Sequence, residues 1–147
     1  MGMYTELNIG VSLRSDTPLD VISIIEYMLD IDNMKMCDVP FDHPLFSTER
    51  WSFMLLTGSY YFDGRTDSSM VRDDIDNEYK LNVRCNLKNY DDEIDLFLDF
   101  IRPYLVTSGF LGYKRYEEDD DPTLIYNNRY ANTIEYKRVD TANERGD

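Results

Sequence analysis

His43 is the one histidine of this 147-residue chain, and it stands in DVPFDHPLF with Asp38 and Asp42 close by. A ring nitrogen beside carboxylates can serve as a general base or hold a metal. No second histidine and no local cysteine cluster completes a ligand set, however, and a histidine between Asp and Pro reads more simply as a turn residue with a local hydrogen bond. Two acidic runs offer oxygen ligands for a hard cation: Asp73, Asp74 and Asp76, and then Glu117, Glu118, Asp119, Asp120 and Asp121. Neither has the spaced acids, central glycine and terminal glutamate of an EF-hand loop. GxSxG, P-loop, Rossmann, HExxH and paired CxxC signatures are absent. The expectation is a non-enzymatic chain with no catalytic residue, no metal set and no cofactor.

Charge is the stronger signal. With 29 acids against 15 bases the formal net charge is −14. Such a surface repels nucleic-acid backbones and anionic headgroups and attracts basic proteins. Asp92, Asp95 and Asp99 recur at helical spacing, flanked by Asp91 and Glu93, so they form a ladder of carboxylates like a row of backbone phosphates. The acidic segment 117–121 and the loop around Asp73–Asp76 are expected to extend it. Solubility alone is the plain alternative reading of these charges.

A second chemistry is available where Lys80, Asn82 and Arg84 alternate with apolar residues. Two cations among amides on the wet face of a strand can hold an anionic, nucleotide-like molecule. That face also carries Asn8, Ser12 and Asn86 but lacks stacked aromatics, which argues against single-stranded RNA and leaves a homodimer surface open.

The elements that must position these groups follow from hydropathy patterns. Residues 4–14 alternate strictly, with Leu7, Ile9, Val11 and Leu13 on one side, and so predict a half-buried strand. Thr17-Pro18-Leu19-Asp20 offers an N-cap, a first-turn proline and a capping-box acid for a helix running to about Leu29. The run WSFMLLTGSYYF, residues 51–62, reads as a long apolar strand bent at Gly58, and 63–77 as a mobile acidic connection. A clean alternation over 79–88 predicts a central strand. Ile94, Phe97, Leu98, Ile101 and Leu105 stripe a second helix that Pro103 kinks or ends. GFLGYKRYEE, TLIY and residues 133–136 complete the strands.

The fold expected is α+β: a ferredoxin-like β-α-β-β-α-β antiparallel sheet with two helices on one face and an extra C-terminal hairpin. It occupies residues 1–138 as one domain, with 139–147 a polar tail. A chain of this length can bury about two-thirds of its unfolded surface. Cys85 falls on an apolar strand face and Cys37 in a loop, with no disulfide expected. The start MGMYTELNIG lacks the basic and apolar regions of a secretory signal, so a cytoplasmic location is expected.

The segments ERWSFMLL, NVRCNLKNYDDEIDLFLDF and GFLGYKRYEEDDDPTLIY resemble small acidic proteins of bacteriophages, prophages and mobile elements, over roughly residues 4–136. The resemblance transfers no assigned activity. It implies a bacterial or phage setting in which small acidic domains inhibit host nucleases and CRISPR-type defence effectors. The first functional expectation is therefore an inhibitor or adaptor that occupies a basic protein's nucleic-acid face through Asp92, Asp95, Asp99 and residues 117–121. The second is a small anionic ligand on Lys80, Asn82 and Arg84, and an enzyme using His43 ranks last.

Overall fold

The computed structural model describes residues 3–29 and 39–139. Strand β1 (Tyr4–Arg14) and strand β3 (Glu78–Lys88) form the long central ladder, antiparallel from Tyr4↔Lys88 to Arg14↔Glu78. Strict alternation sends Leu7, Ile9, Val11 and Leu13, with Leu81, Val83, Cys85 and Leu87, to one face of the sheet. That face packs on helices α1 (Leu19–Met28) and α2 (Glu93–Ile101) in one continuous apolar cluster. Strands β2 (Ser69–Asp73), β4 (Gly109–Tyr116), β5 (Thr123–Asn128) and β6 (Thr133–Arg138) complete a mixed α+β fold. The described residues form an antiparallel six-stranded sheet in the order β2-β3-β1-β4-β5-β6.

The expected strand over 51–62 does not form. Met54 and Leu55 are adjacent and both wholly buried, in a 3-10 turn (Met54–Leu56) that plugs the core beside α1. Apolar residues at successive positions suit a buried turn as well as a strand, and here the core claims them. The chain then crosses the end of β3, where the Asn86 amide donates to the Thr57 carbonyl, and loops over the sheet face opposite the helices. The second strand lies instead at Ser69–Asp73, inside the stretch expected to be a mobile connection. Its short side-by-side pairing with Lys80–Asn82 and neighbours, rather than any apolar pattern of its own, makes it a strand.

Helix α1 starts one residue later than its sequence signals predict. The Thr17 hydroxyl donates to the Arg14 carbonyl at 2.6 Å, closing the turn after β1, so Pro18 takes the cap position and the expected capping box does not form. At α2 the cap comes from further upstream: Asn89 Oδ1 accepts the Ile94 amide at 2.9 Å, while Asp92 adopts a left-handed φ of 59°. Pro103 does end this helix, in a 3-10 turn (Arg102–Tyr104). A bulge between Phe110 and Gly112 in β4 resets the register against β5. Cys85 is a free, buried thiol, as its place on the apolar face requires. Cys37, Asp38 and the tail beyond Val139 lie outside the described residues.

Candidate functional site

The two acidic segments meet at one end of the sheet. Tyr116, the last residue of β4, pairs with Thr5 at the start of β1, and Leu87 at the end of β3 pairs with Thr5 on the other side. Glu117 is anchored there: its amide donates to the Tyr4 carbonyl at 2.9 Å and its carboxylate accepts the Tyr4 amide. Only four residues separate the end of β3 from the start of α2, which brings Asp91, Asp92, Glu93 and Asp95 to the same end. A groove of about 440 Å³ lies at this end, lined by Asn89, Asp119, the aromatic rings of Tyr116 and Tyr136, and two cations, Lys114 and Arg138. Desolvation, then the Glu118, Glu117 and Asp119 carboxylates, push the Tyr116 phenol above its ordinary range. Burial, followed by Asp95, Asp99 and Asp92, does the same to Tyr136.

The ladder on α2 is less bare than its spacing implies. Lys114 Nζ sits 2.7 Å from Asp95 Oδ1 and over the Tyr136 ring at 4.3 Å. Asp99 Oδ2 lies 2.8 Å from His43 Nε2. His43 Nδ1 accepts the Leu45 amide at 3.1 Å, which leaves Nε2 as the protonated nitrogen that donates to Asp99. Both nitrogens are thus occupied, and the ring caps a 3-10 turn (Pro44–Ser47) while its face meets Phe46 and Phe100. The ring thus stands at a turn with a local hydrogen bond, the position its Asp-His-Pro setting predicts. Glu93 is fully buried, 3.6 Å from Arg50 Nη1, with Arg50 also near Glu49 and Asp91 and over the Tyr90 ring. The exposed carboxylates of this end are Asp91, Asp92, Asp99, Glu118, Asp120 and Asp121.

The Asp73–Asp76 turn does not extend this surface. Asp73 pairs with Glu78, which pairs with Arg14 at the far end of β1. Eleven strand residues, about 33 Å at ~3.3 Å per residue, separate it from Glu117. Sequence could not place the two runs relative to one another, because that depends on strand direction.

On the polar sheet face the two cations of the expected anion site have partners within the chain. Lys80 Nζ is 3.0 Å from both Asp76 Oδ2 and Glu78 Oε1, and these carboxylates, Glu78 first, hold its ammonium pKa above the ordinary value. Arg84 Nη2 donates to the Asp63 carbonyl, under a loop whose Gly64 leaves no room for a side chain over the guanidinium. Asn86 is buried beneath Ser59, and of the expected triad only Asn82 stays open. The same face does carry aromatics, but on outer strands: Phe110 meets Tyr126 edge-on at 5.6 Å, and Tyr113 accepts from Asn8.

Among the described residues no group of three or more His, Cys, Asp or Glu side chains is placed to hold a metal, and no helix is long and apolar enough to cross a membrane. Compared with protein-family models, curated proteins and solved structures, the chain matches none.

Proposed function

We propose that this chain is a non-enzymatic interaction protein whose acidic end occupies the nucleic-acid-binding face of a basic partner. The observation that carries the reading is the gathering of residues 91–99 and 117–121, ten carboxylates in all, at one end of the sheet. Arg50 lies beside Asp91 and Glu93, and Lys114 beside Asp95, so three of the ten have one of these two cations close by. Carboxylates fixed on a helix and a hairpin present a rigid negative surface, and rigid charge complementarity favours fast, salt-sensitive docking on a basic protein. In the setting implied by the sequence resemblance, the partner class is a nuclease or CRISPR-type defence effector, and the role is inhibition in the cytoplasm.

We read the scaffold as a ferredoxin-like split βαβ unit carrying an added hairpin. The order β2-β3-β1-β4, with α1 and α2 sharing one core face and β5 and β6 appended beyond β4, supports that reading.

The test is capture of basic proteins from a bacterial lysate at low and moderate salt, with duplex DNA as competitor. The expected result is retention of a nucleic-acid-handling protein that salt and DNA both release and that E118K/D119K/D120K fails to retain. Retention indifferent to DNA and to that triple reversal would refute the proposal.

A further inference from the structure

At the end of the sheet opposite the acidic hairpin, this strongly acidic chain gathers arginines. Arg14, Arg102 and Arg129 line a cleft of about 340 Å³ whose walls include Asn127 and Asn132 and no carboxylate. The three come from distant positions: the end of β1, the 3-10 turn after α2, and the turn between β5 and β6.

Each is held by local structure. Arg14 Nη1 donates to the Pro103 carbonyl at 2.7 Å and its Nε bonds Asp16 at 2.9 Å, so the guanidinium is fixed with Nη2 left over. The chain after α2 is tied to β1 through Val106 N to Ser12 O and Ser12 N to Thr107 Oγ1, both at 2.8 Å, which sets Arg102 beside Arg14. Asn128 Oδ1 accepts the amides of Tyr130 and Ala131, both at 3.1 Å, and this fixes the turn that presents Arg129. Neither Arg102 nor Arg129 has an ion-pair partner among the described residues.

Three guanidiniums in one cleft repel each other unless an anion lies between them, and their planar forks suit phosphate oxygens. The acids nearby offset them only in part: Asp16 pairs with Arg14 Nε, Glu78 is held by Lys80 and Glu135 by the Asn128 amide, and none of them pairs with Arg102 or Arg129. The hairpin carboxylates of 117–121 lie several screening lengths away at physiological salt, and Asp99, three residues before Arg102, is engaged by His43.

A second hollow, of about 530 Å³, continues from the first through the shared Asn127 and Arg129 and is bordered by Ser108, Gly109 and Tyr130. Tyr130 is wholly exposed, and a side chain at Gly109 would meet nothing within 4 Å. A cationic lobe joined to an open lobe with a free aromatic ring matches a ligand that is phosphate at one end and a flat ring at the other.

We propose that this two-lobed groove binds a nucleotide-type organic phosphate, with the phosphates between Arg14, Arg102 and Arg129 and the ring against Tyr130. The site is independent of the acidic end and of the polar sheet face.

Calorimetric titration of the full chain with ADP, pyrophosphate and adenosine in phosphate-free, low-salt buffer tests it. ADP is expected to bind, pyrophosphate more weakly and adenosine undetectably. R102E/R129E is expected to weaken ADP at least tenfold with an unchanged melting temperature, and Y130A to weaken ADP while sparing pyrophosphate. Should the double reversal unfold the chain, R102Q/R129Q gives the same reading with a smaller loss. Absence of binding by both ADP and pyrophosphate at millimolar concentration, or ADP affinity unchanged in the arginine variants, overturns the site. Equal affinity for ADP and pyrophosphate, untouched by Y130A, overturns the nucleotide assignment.

Discussion

Replacing Arg50 with methionine isolates the one cation that, among the described residues, pairs with the buried Glu93. Glu93 is completely inaccessible, its Oε1 accepts the Asp91 amide at 3.1 Å, and its Oε2 has no hydrogen-bond donor. Arg50 Nη1, 3.6 Å from Oε2, is therefore the main offset to the desolvation of this carboxylate. At that distance and an effective dielectric of about 20, two unit charges attract by about 5 kcal/mol. The intact pair contributes far less than this net, because burying both charges costs a similar amount. Removing one partner exposes the full imbalance, so Arg50→Met should destabilise the fold by about 3–5 kcal/mol. For a domain of this size that lowers the melting temperature by about 10 °C. Methionine keeps the packing volume, and Glu93→Gln keeps the acceptor for the Asp91 amide while removing the charge. In R50M/E93Q most of the loss should return, giving a coupling energy of about 2 kcal/mol or more in chemical denaturation. Additivity of the two single changes to within about 0.5 kcal/mol would refute the assignment of Arg50 as the charge partner of Glu93.

Two further outcomes follow from burial and backbone geometry. Burial, with a smaller contribution from Glu6, pushes the Cys85 thiol up to about 12. In Cys37→Ser the remaining thiol should resist disulfide exchange reagents at pH 8 until the chain unfolds, and rapid labelling of the native protein would contradict its burial. Because the folded thiol is raised above its ordinary value near 9, its contribution to stability is present below about pH 9 and is lost as pH rises toward 12. At Gly112, with φ of 151°, an added Cβ would stand 2.0 Å from the Asn8 carbonyl oxygen, so Gly112→Ala should cost at least about 3 kcal/mol. Gly109→Ala, with φ of 76° and open space around it, should cost only about 1 kcal/mol, and equal losses in denaturant melts would show that the β1–β4 contact is looser than this geometry.

The long amphipathic elements were legible in the chain because their burial is periodic. Residues 4–14 and 79–88 show one apolar face at period two, and Ile94, Phe97, Leu98 and Ile101 show one at helical spacing, so hydropathy alone locates them. Ser69–Asp73 carries no such signature: its pairing with β3 makes it a strand, and pairing is a property of two segments. Met54 and Leu55 misled for the converse reason, since an apolar run records burial without recording the backbone that achieves it.

The same division holds for the charged groups. Composition by itself determined that the molecule is strongly acidic and that no familiar catalytic pattern is present. Only the tertiary structure decided which charges remain unmatched. It pairs Lys80 with Asp76 and Glu78, covers Arg84 with the 63–64 loop, and brings Lys114 to Asp95 and His43 to Asp99. It also carries Glu117–Asp121 to the start of α2 and collects Arg14, Arg102 and Arg129 at the other end. Electrostatic interaction falls with distance through space, and strand direction and register, which no local stretch of sequence encodes, set that distance.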